Sequence, residues 1–323
     1  MALETLFSWG PAGSVGSLIT TTQENRDIKE LQDAVFNRLT LFDWLSKKNR
    51  VRRGGGTSII VPIRSSKNTT AGSYSNYGVI NTAPQDNETA AQFLYKQYAA
   101  SISLSGKEER VQNKGKYEVM DLVKTKISDA ELALQDKLNQ DLFAASPAAQ
   151  DVGSLVTSID ATSTIGQINS TTYSFWQATN TTSGSFSAQG LSDMRTLWNT
   201  LSQRAPSSVP DLLLTTPTIH GFYEASLQAQ QRYQPDNSTG NGSFQKLMFK
   251  SAPVDMDAQC TSGVMYFLNS DVMELVIDPD TDFKMTEWVK PADQDAKVAQ
   301  YLVALELVIR NRRKLGKLNT ITA

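Results

Sequence analysis

Between Lys116 and Ala145 the chain carries one apolar stripe that constrains its architecture more than any other segment. Val119, Val123, Ile127, Ala130, Leu134, Leu138 and Leu142 recur at steps of three and four residues, the spacing that returns side chains to one face of an α-helix. Lys124, Ser128, Glu131, Gln135 and Asp136 fall largely away from that face. At ~1.5 Å per residue such a helix is about 45 Å long, well beyond the usual length in globular domains. Pro147 follows it as a terminator.

Ahead of this helix the character of the chain changes repeatedly. The first segment, punctuated by Gly10, Pro11, Gly13 and Gly16, has no sustained period and reads as an extended arm. Ile28, Leu31, Val35, Leu39 and Phe42 predict a short helix over 26–45, ended by the basic run from Lys47 to Arg53 and the triplet Gly54-Gly55-Gly56. From Thr57 to Pro84 the sequence predicts a polar β-hairpin. Ile59, Val61 and Ile63 lie on its first strand, a turn falls near Lys67 to Gly72, and Tyr74, Tyr77, Val79 and Ile80 suit a return strand. Such a hairpin buries little of itself and needs another surface to lie on, a neighbouring subunit being one candidate. A further strand is expected from Phe93 to Leu104, before Ser105-Gly106.

After the long helix, residues 146–187 are rich in Ser, Thr, Gly and Asn and predict loops and short strands anchored by Phe175 and Trp176. A second helix is expected over 187–203, with Leu191, Met194, Leu197, Trp198 and Leu201 on one face. A buried strand at Asp211 to Leu214, a helix through Ile219, Phe222 and Leu227, and strands at 263–268 and 273–277 follow. Val298 to Ile309 is an almost unbroken β-rich run, suited to the depth of a sheet. Altogether the reading is an α+β chain.

Composition narrows the function classes. The 323 residues carry a formal net charge of −2, with 40% hydrophobic and 20% charged residues, which suits a folded protein and argues against a dedicated nucleic-acid binder. A single cysteine, Cys260, excludes an intrachain disulfide and a thiolate-rich zinc site, and fits a reducing compartment. No basic region followed by an apolar core opens the chain, and no apolar run approaches a membrane span, so neither a signal peptide nor a membrane partner is expected.

Candidate chemistry is sparse. His220, the one histidine, could pair with Cys260 or a serine, but Cys260 lacks a nucleophile context, and a surface or packing role for His220 is the plainer reading. Asp278-Pro279-Asp280-Thr281-Asp282 alternates acids without the remaining ligands of a calcium loop and reads as a solvated turn. Gly54-Gly55-Gly56-Thr57-Ser58 lacks the lysine and following helix of a phosphate loop and reads as a hinge. No catalytic residue, cofactor or metal site is expected.

Two basic clusters carry more weight. Lys47, Lys48, Arg50, Arg52 and Arg53 form the first; Arg310, Arg312, Arg313, Lys314 and Lys317 form the second. One reading is sequence-blind attraction to DNA phosphates. The other, favoured by the near-neutral total, is ion pairing with acidic groups of neighbouring subunits.

The order of elements resembles the HK97-type major capsid proteins of tailed double-stranded DNA bacteriophages. Several tracts are similar in order: Leu18 to Arg26 in the arm, Ala90-Ala91-Gln92-Phe93 with Tyr95-Lys96-Gln97, and Thr172 to Trp176. Further on come Ala252-Pro253-Val254, Met265 to Asn269, Asp282-Phe283-Lys284, Asp293 to Ala296 and Asn311-Arg312-Arg313. The resemblance implies an N-arm (1–53), an E-loop with its return strand (54–105) and a P-domain spine helix (106–150). P-domain loops with a second helix (151–210), an A-domain (211–285) and a P-domain C-terminal strand (286–323) would complete it. It further implies a non-enzymatic protein that assembles with itself as hexamers and pentamers into an icosahedral or prolate head shell around packaged DNA. The implied location is the virion, after assembly in the host cytoplasm. Because the arm and hairpin occupy everything before the spine helix, a separate scaffold protein is expected instead of a fused, cleaved one, together with a portal and a decoration protein. An encapsulin-like nanocompartment built on the same fold is the alternative, and a cytosolic hydrolase a distant one.

Overall fold

The computed structural model describes residues 40–108, 122–204, 209–231 and 247–323. The arm and most of the first expected helix lie outside them, as does the start of the long helix. In chain order the elements begin with α1 (Thr40–Lys47), β1 (Val51–Arg53), β2 (Ile59–Arg64), β3 (Glu88–Phe93) and β4 (Lys96–Ser105). Then come α2 (Leu122–Leu142), α3 (Leu155–Ser158), β5 (Thr164–Ile165), β6 (Ile168–Asn169), β7 (Thr179–Thr182) and α4 (Leu191–Gln203). The series continues with β8 (Leu212–Thr215), α5 (Pro217–Gln231), β9 (Met248–Phe249), β10 (Ala252–Met256), β11 (Met265–Leu268) and β12 (Met273–Ile277). It closes with β13 (Lys284–Met285), β14 (Ala296–Ile309) and β15 (Gly316–Asn319).

The chain divides into two compact units. The smaller contains Ala99–Leu134 and Met285–Leu302. Within it β4 pairs with β14, Ile102 and Leu104 are buried, and Lys126 of α2 donates at 3.0 Å both to the Ser103 carbonyl and to Glu108. The larger contains Asn37–Tyr98, Gln135–Lys284 and Val303–Ala323. The apolar stripe of α2 is buried as its period requires, at Ala130, Leu134, Leu138 and Leu142.

In the larger unit a six-stranded sheet runs β7-β15-β11-β8-β10-β9. Leu213, Met265, Phe267 and Leu318 pack in one cluster with Met194, Leu197, Trp198 and Leu201 of α4 and Ile219 and Tyr223 of α5. Every residue of β8 and β11 is buried, which is why their sequences run apolar without alternation. Gly316 lets α4 close on β15: a Cβ there would meet the Cδ1 atoms of Leu197 and Leu201 at 3.0 Å.

A second sheet places β12 between β1, parallel, and the last residues of β14, antiparallel. Its Val276 and Val308 pack against Trp176, Ile168 and the root of the β2–β3 hairpin.

That hairpin differs from expectation in two ways. Its return strand is Glu88–Phe93 and not Tyr74 to Ile80: Ile59 pairs with Phe93 and Val61 with Ala91. The pairing places Ile59, Val61, Ala91 and Phe93 on one face, all buried in the second cluster, so the root belongs to the core. Residues 65–87 form a long loop without helix or strand, in which Tyr77 and Val79 are 100% and 96% exposed. The core is held close by Gly166, at φ +59°, where a Cβ would meet that of Ala91 at 2.7 Å. The expected strand from Phe93 to Leu104 is interrupted after Phe93, and β4 starts at Lys96.

Candidate shell-forming surfaces

The β2–β3 ribbon is two-faced. Its inward residues are core, whereas Ile60 and Leu94 are largely exposed, as are Tyr74, Tyr77, Val79 and Ile80 in the loop beyond. Exposed apolar side chains are thus concentrated on the ribbon and the loop beyond it.

The first basic cluster is largely engaged within its own chain. Lys48 lies 3.2 Å from Asp211, Arg50 2.5 Å from Asp271 and Arg53 2.6 Å from Asp282. Arg52 and Arg310, one from each cluster, meet at Glu274. Arg310 Nη2 donates to Oε2 at 2.8 Å, and Arg52 Nη2 lies 3.2 Å from Oε1 without hydrogen-bond alignment. The parallel register of β1 on β12 sets this up, because Arg52 sits opposite Val276, beside Glu274. These cations are exposed at their heads, so each pair contributes ~0–1 kcal/mol, and their chief effect is to cancel charge locally.

Two members of the second cluster are not surface residues at all, contrary to what a basic run suggests. Arg312 is 0% exposed. Its Nε donates to the Ser158 carbonyl at 2.8 Å, Nη1 to the Ser163 carbonyl at 3.2 Å and to Ser170 Oγ, and Nη2 to the carbonyls of Asp160 at 2.7 Å and Thr157 at 3.4 Å. Burial pushes its pKa down to about 10, against the opposing pull of the Asp160 charge. Lys317, on β15, is buried likewise and donates to the Val156 carbonyl at 2.9 Å. A rigid five-donor fork can satisfy several loop carbonyls at once, and here it staples the 157–170 loops. Lys47, Arg313 and Lys314 make no ion pair among the described residues.

Two buried carboxylates escaped the sequence reading. Asp257, 2% exposed, accepts from Thr40 N at the start of α1 and from Asn139 Nδ2 of α2, each at 3.1 Å. Glu306, 4% exposed, accepts at Oε1 from Gly153 N at 2.9 Å, while Oε2 has no hydrogen-bond partner among the described residues. Asp257 leaves no local signal. Glu306 does: it is a lone carboxylate within a run of apolar strand residues.

Cys260 is buried, and burial pushes its thiol well above the usual range, the reverse of an activated nucleophile. Among the described residues no group of three His, Cys, Asp or Glu side chains could hold a metal, and no helix is long and apolar enough to cross a membrane.

No protein-family model matches the sequence, and no curated protein does either. Solved structures do match, over nine-tenths or more of its length. The capsid asymmetric unit of cyanophage A-1(L) superposes with a TM-score of 0.72 at 17% identity, covering 93% of this chain and 97% of that one. The capsid of the Myoviridae phage XM1 gives 0.56 at 10% identity, covering 95% and 99%. The chain has the HK97-type capsid fold. A holo-SrpI encapsulin complex from Synechococcus elongatus shares it more distantly, with a TM-score of 0.52 at 7% identity over 95% and 96% of the two chains.

Proposed function

We propose that this chain is the major capsid protein of a tailed bacteriophage, assembling with itself into the icosahedral or prolate shell that encloses a double-stranded DNA genome. The observation that carries the reading is the near end-to-end likeness to a phage capsid subunit, at 93% and 97% coverage. The exposed loop at 65–87 supports it, since Tyr74, Tyr77, Val79 and Ile80 offer apolar surface there. On this reading the role is structural, not catalytic. Residues 211–285 form the A-domain, α2 and β14 contribute to the P-domain, and hexamers and pentamers form the shell. Many copies of weak contacts add through multivalency, which permits correction during growth and strength afterwards.

Lys47, Arg313 and Lys314 are the cluster residues left to meet acidic groups of a neighbouring subunit or packaged DNA. A separate scaffold, a portal and a decoration protein complete the proposed partner set, and the proposed location is the virion after assembly in the host cytoplasm. An encapsulin-like compartment is the second reading, supported by the shared fold. The deciding experiment isolates native particles and identifies their contents: genomic DNA supports the phage shell, and an enclosed cargo protein with no genome supports the compartment.

A further inference from the structure

Beneath the root of the hairpin lies a cleft of about 490 Å³, lined by Gln92 to Leu94, Lys96, the 147–153 loop, the 163–167 loop and Glu306. The Glu306 carboxyl group sits in its wall with one oxygen committed to Gly153 and the other without a hydrogen-bond partner among the described residues. Gly153 is required there, since a Cβ would come within 2.8 Å of Glu306 Oε1. A buried, ionised carboxylate with an unmatched oxygen is costly, so the group must either stay neutral or find a cation. The cation at hand is Lys96, which lines the same cleft and donates its ammonium to the Ala149 carbonyl.

The other charged groups around the cleft are already engaged. Asp151 accepts from Ala148 N at 2.7 Å. Behind the loop, Tyr98 donates to Asp141 at 2.9 Å and accepts from Val152 N at 2.8 Å, while Lys137 holds Asp141 at 2.6 Å. On the sheet, Arg52 and Arg310 close on Glu274, and Arg312 is spent on loop carbonyls.

We propose that Glu306, Lys96 and the Ala149 carbonyl form a proton-operated latch under the hairpin, in which the Lys96 ammonium leaves Ala149 for Glu306 Oε2 once the carboxyl group loses its proton. Burial raises the carboxyl to about 7, against the lowering influence of Gly153 N, the Lys96 charge and Leu307 N, which puts the transition near neutrality. Lys96 opens β4 just after β3 ends at Phe93, so its movement pulls on the root of the hairpin. The latch belongs to the subunit and holds whatever the chain assembles into.

The test is a double-mutant cycle on the unassembled subunit, with unfolding equilibria measured at about pH 5.5 and about pH 8.5 for wild type, Lys96→Met, Glu306→Gln and the double variant. At low pH the two losses should add. At high pH, Lys96→Met should shift the unfolding equilibrium about tenfold more in the wild-type background than in Glu306→Gln, the scale of one pKa unit. Equal coupling at both pH values, or none at high pH, overturns the latch. Should the double variant fail to fold, the single variants decide. Lys96→Arg keeps the charge and should follow the wild-type pH profile, whereas Lys96→Met should lose stability more steeply between about pH 6 and about pH 8. Indistinguishable profiles would overturn it equally.

Discussion

The guanidinium of Arg312 lies over the Trp176 ring, 6.0 Å from its centroid, while its nitrogens take up the carbonyls of Thr157, Ser158, Asp160 and Ser163. One side chain thus closes the loops that in turn support the hairpin root through Ile168 and Trp176. Removing it should cost about 3–5 kcal/mol, because several buried acceptors lose their donors together. Arg312→Lys should fail to rescue, since a single ammonium cannot reproduce the planar fork. Chemical denaturation of Arg312→Met and Arg312→Lys checks this, and a lysine variant of full stability would contradict it.

The pH dependence of folding follows from Glu306. Its folded-state pKa, raised by burial to about 7, lies above the usual glutamate value of 4.5. The folded state therefore binds more protons than the unfolded state between those values, and stability falls as pH rises through that window. The loss attributable to this residue is about 3 kcal/mol, at ~1.4 kcal/mol per pKa unit. Glu306→Gln should flatten the decline in a denaturation series from acid to neutral pH; an unchanged slope would place the dependence elsewhere.

The stripe of α2 makes a simpler prediction. Leu134 and Leu138 are each 3% exposed, so Leu134→Asp or Leu138→Asp puts an unpaired charge in the core and should abolish folding. Glu131→Ala, off the stripe, should change stability by about 0.5 kcal/mol or less. Soluble expression and thermal unfolding of the three separate these outcomes.

Elements with a strong local period were legible in the sequence: α2 by its stripe, β14 by its apolar run, β8 by an unbroken one. What was illegible depended on contacts distant in sequence. Nothing near Ile59 says that its partner is Phe93, because the register is set by burial against Ile168 and Val308 across a long intervening loop. Arg312 reads as a surface charge within a basic run, yet Asn311 accepts from Arg313 N to cap a 3-10 turn there, and the buried side chain finds its acceptors some 150 residues earlier. The pairing of Arg52 and Arg310 on Glu274 likewise needs the β1–β12–β14 order, which no local pattern encodes.

The hairpin has a buried root and an exposed loop, and the two can be deleted separately. Replacing residues 65–87 by a short Gly/Ser bridge from Arg64 to Glu88 leaves the buried root intact, so the subunit should unfold cooperatively near the wild-type temperature. Extending the deletion through Ile59 and Val61 removes core and should unfold it, at about 1.5–3 kcal/mol per buried side chain. Comparing the two deletions by thermal unfolding checks the boundary between core and loop; a loop deletant without a transition would contradict it.

If the proposed function holds, the purified chain builds closed shells. The most direct measurement is electron microscopy of the purified full-length protein, with sedimentation of the same samples and of the 65–87 replacement. Wild type should give closed particles or five- and six-membered capsomers, and the loop replacement none, its subunits staying folded. Wild-type protein that remains monomeric at high concentration, even with a co-expressed scaffold, would contradict it.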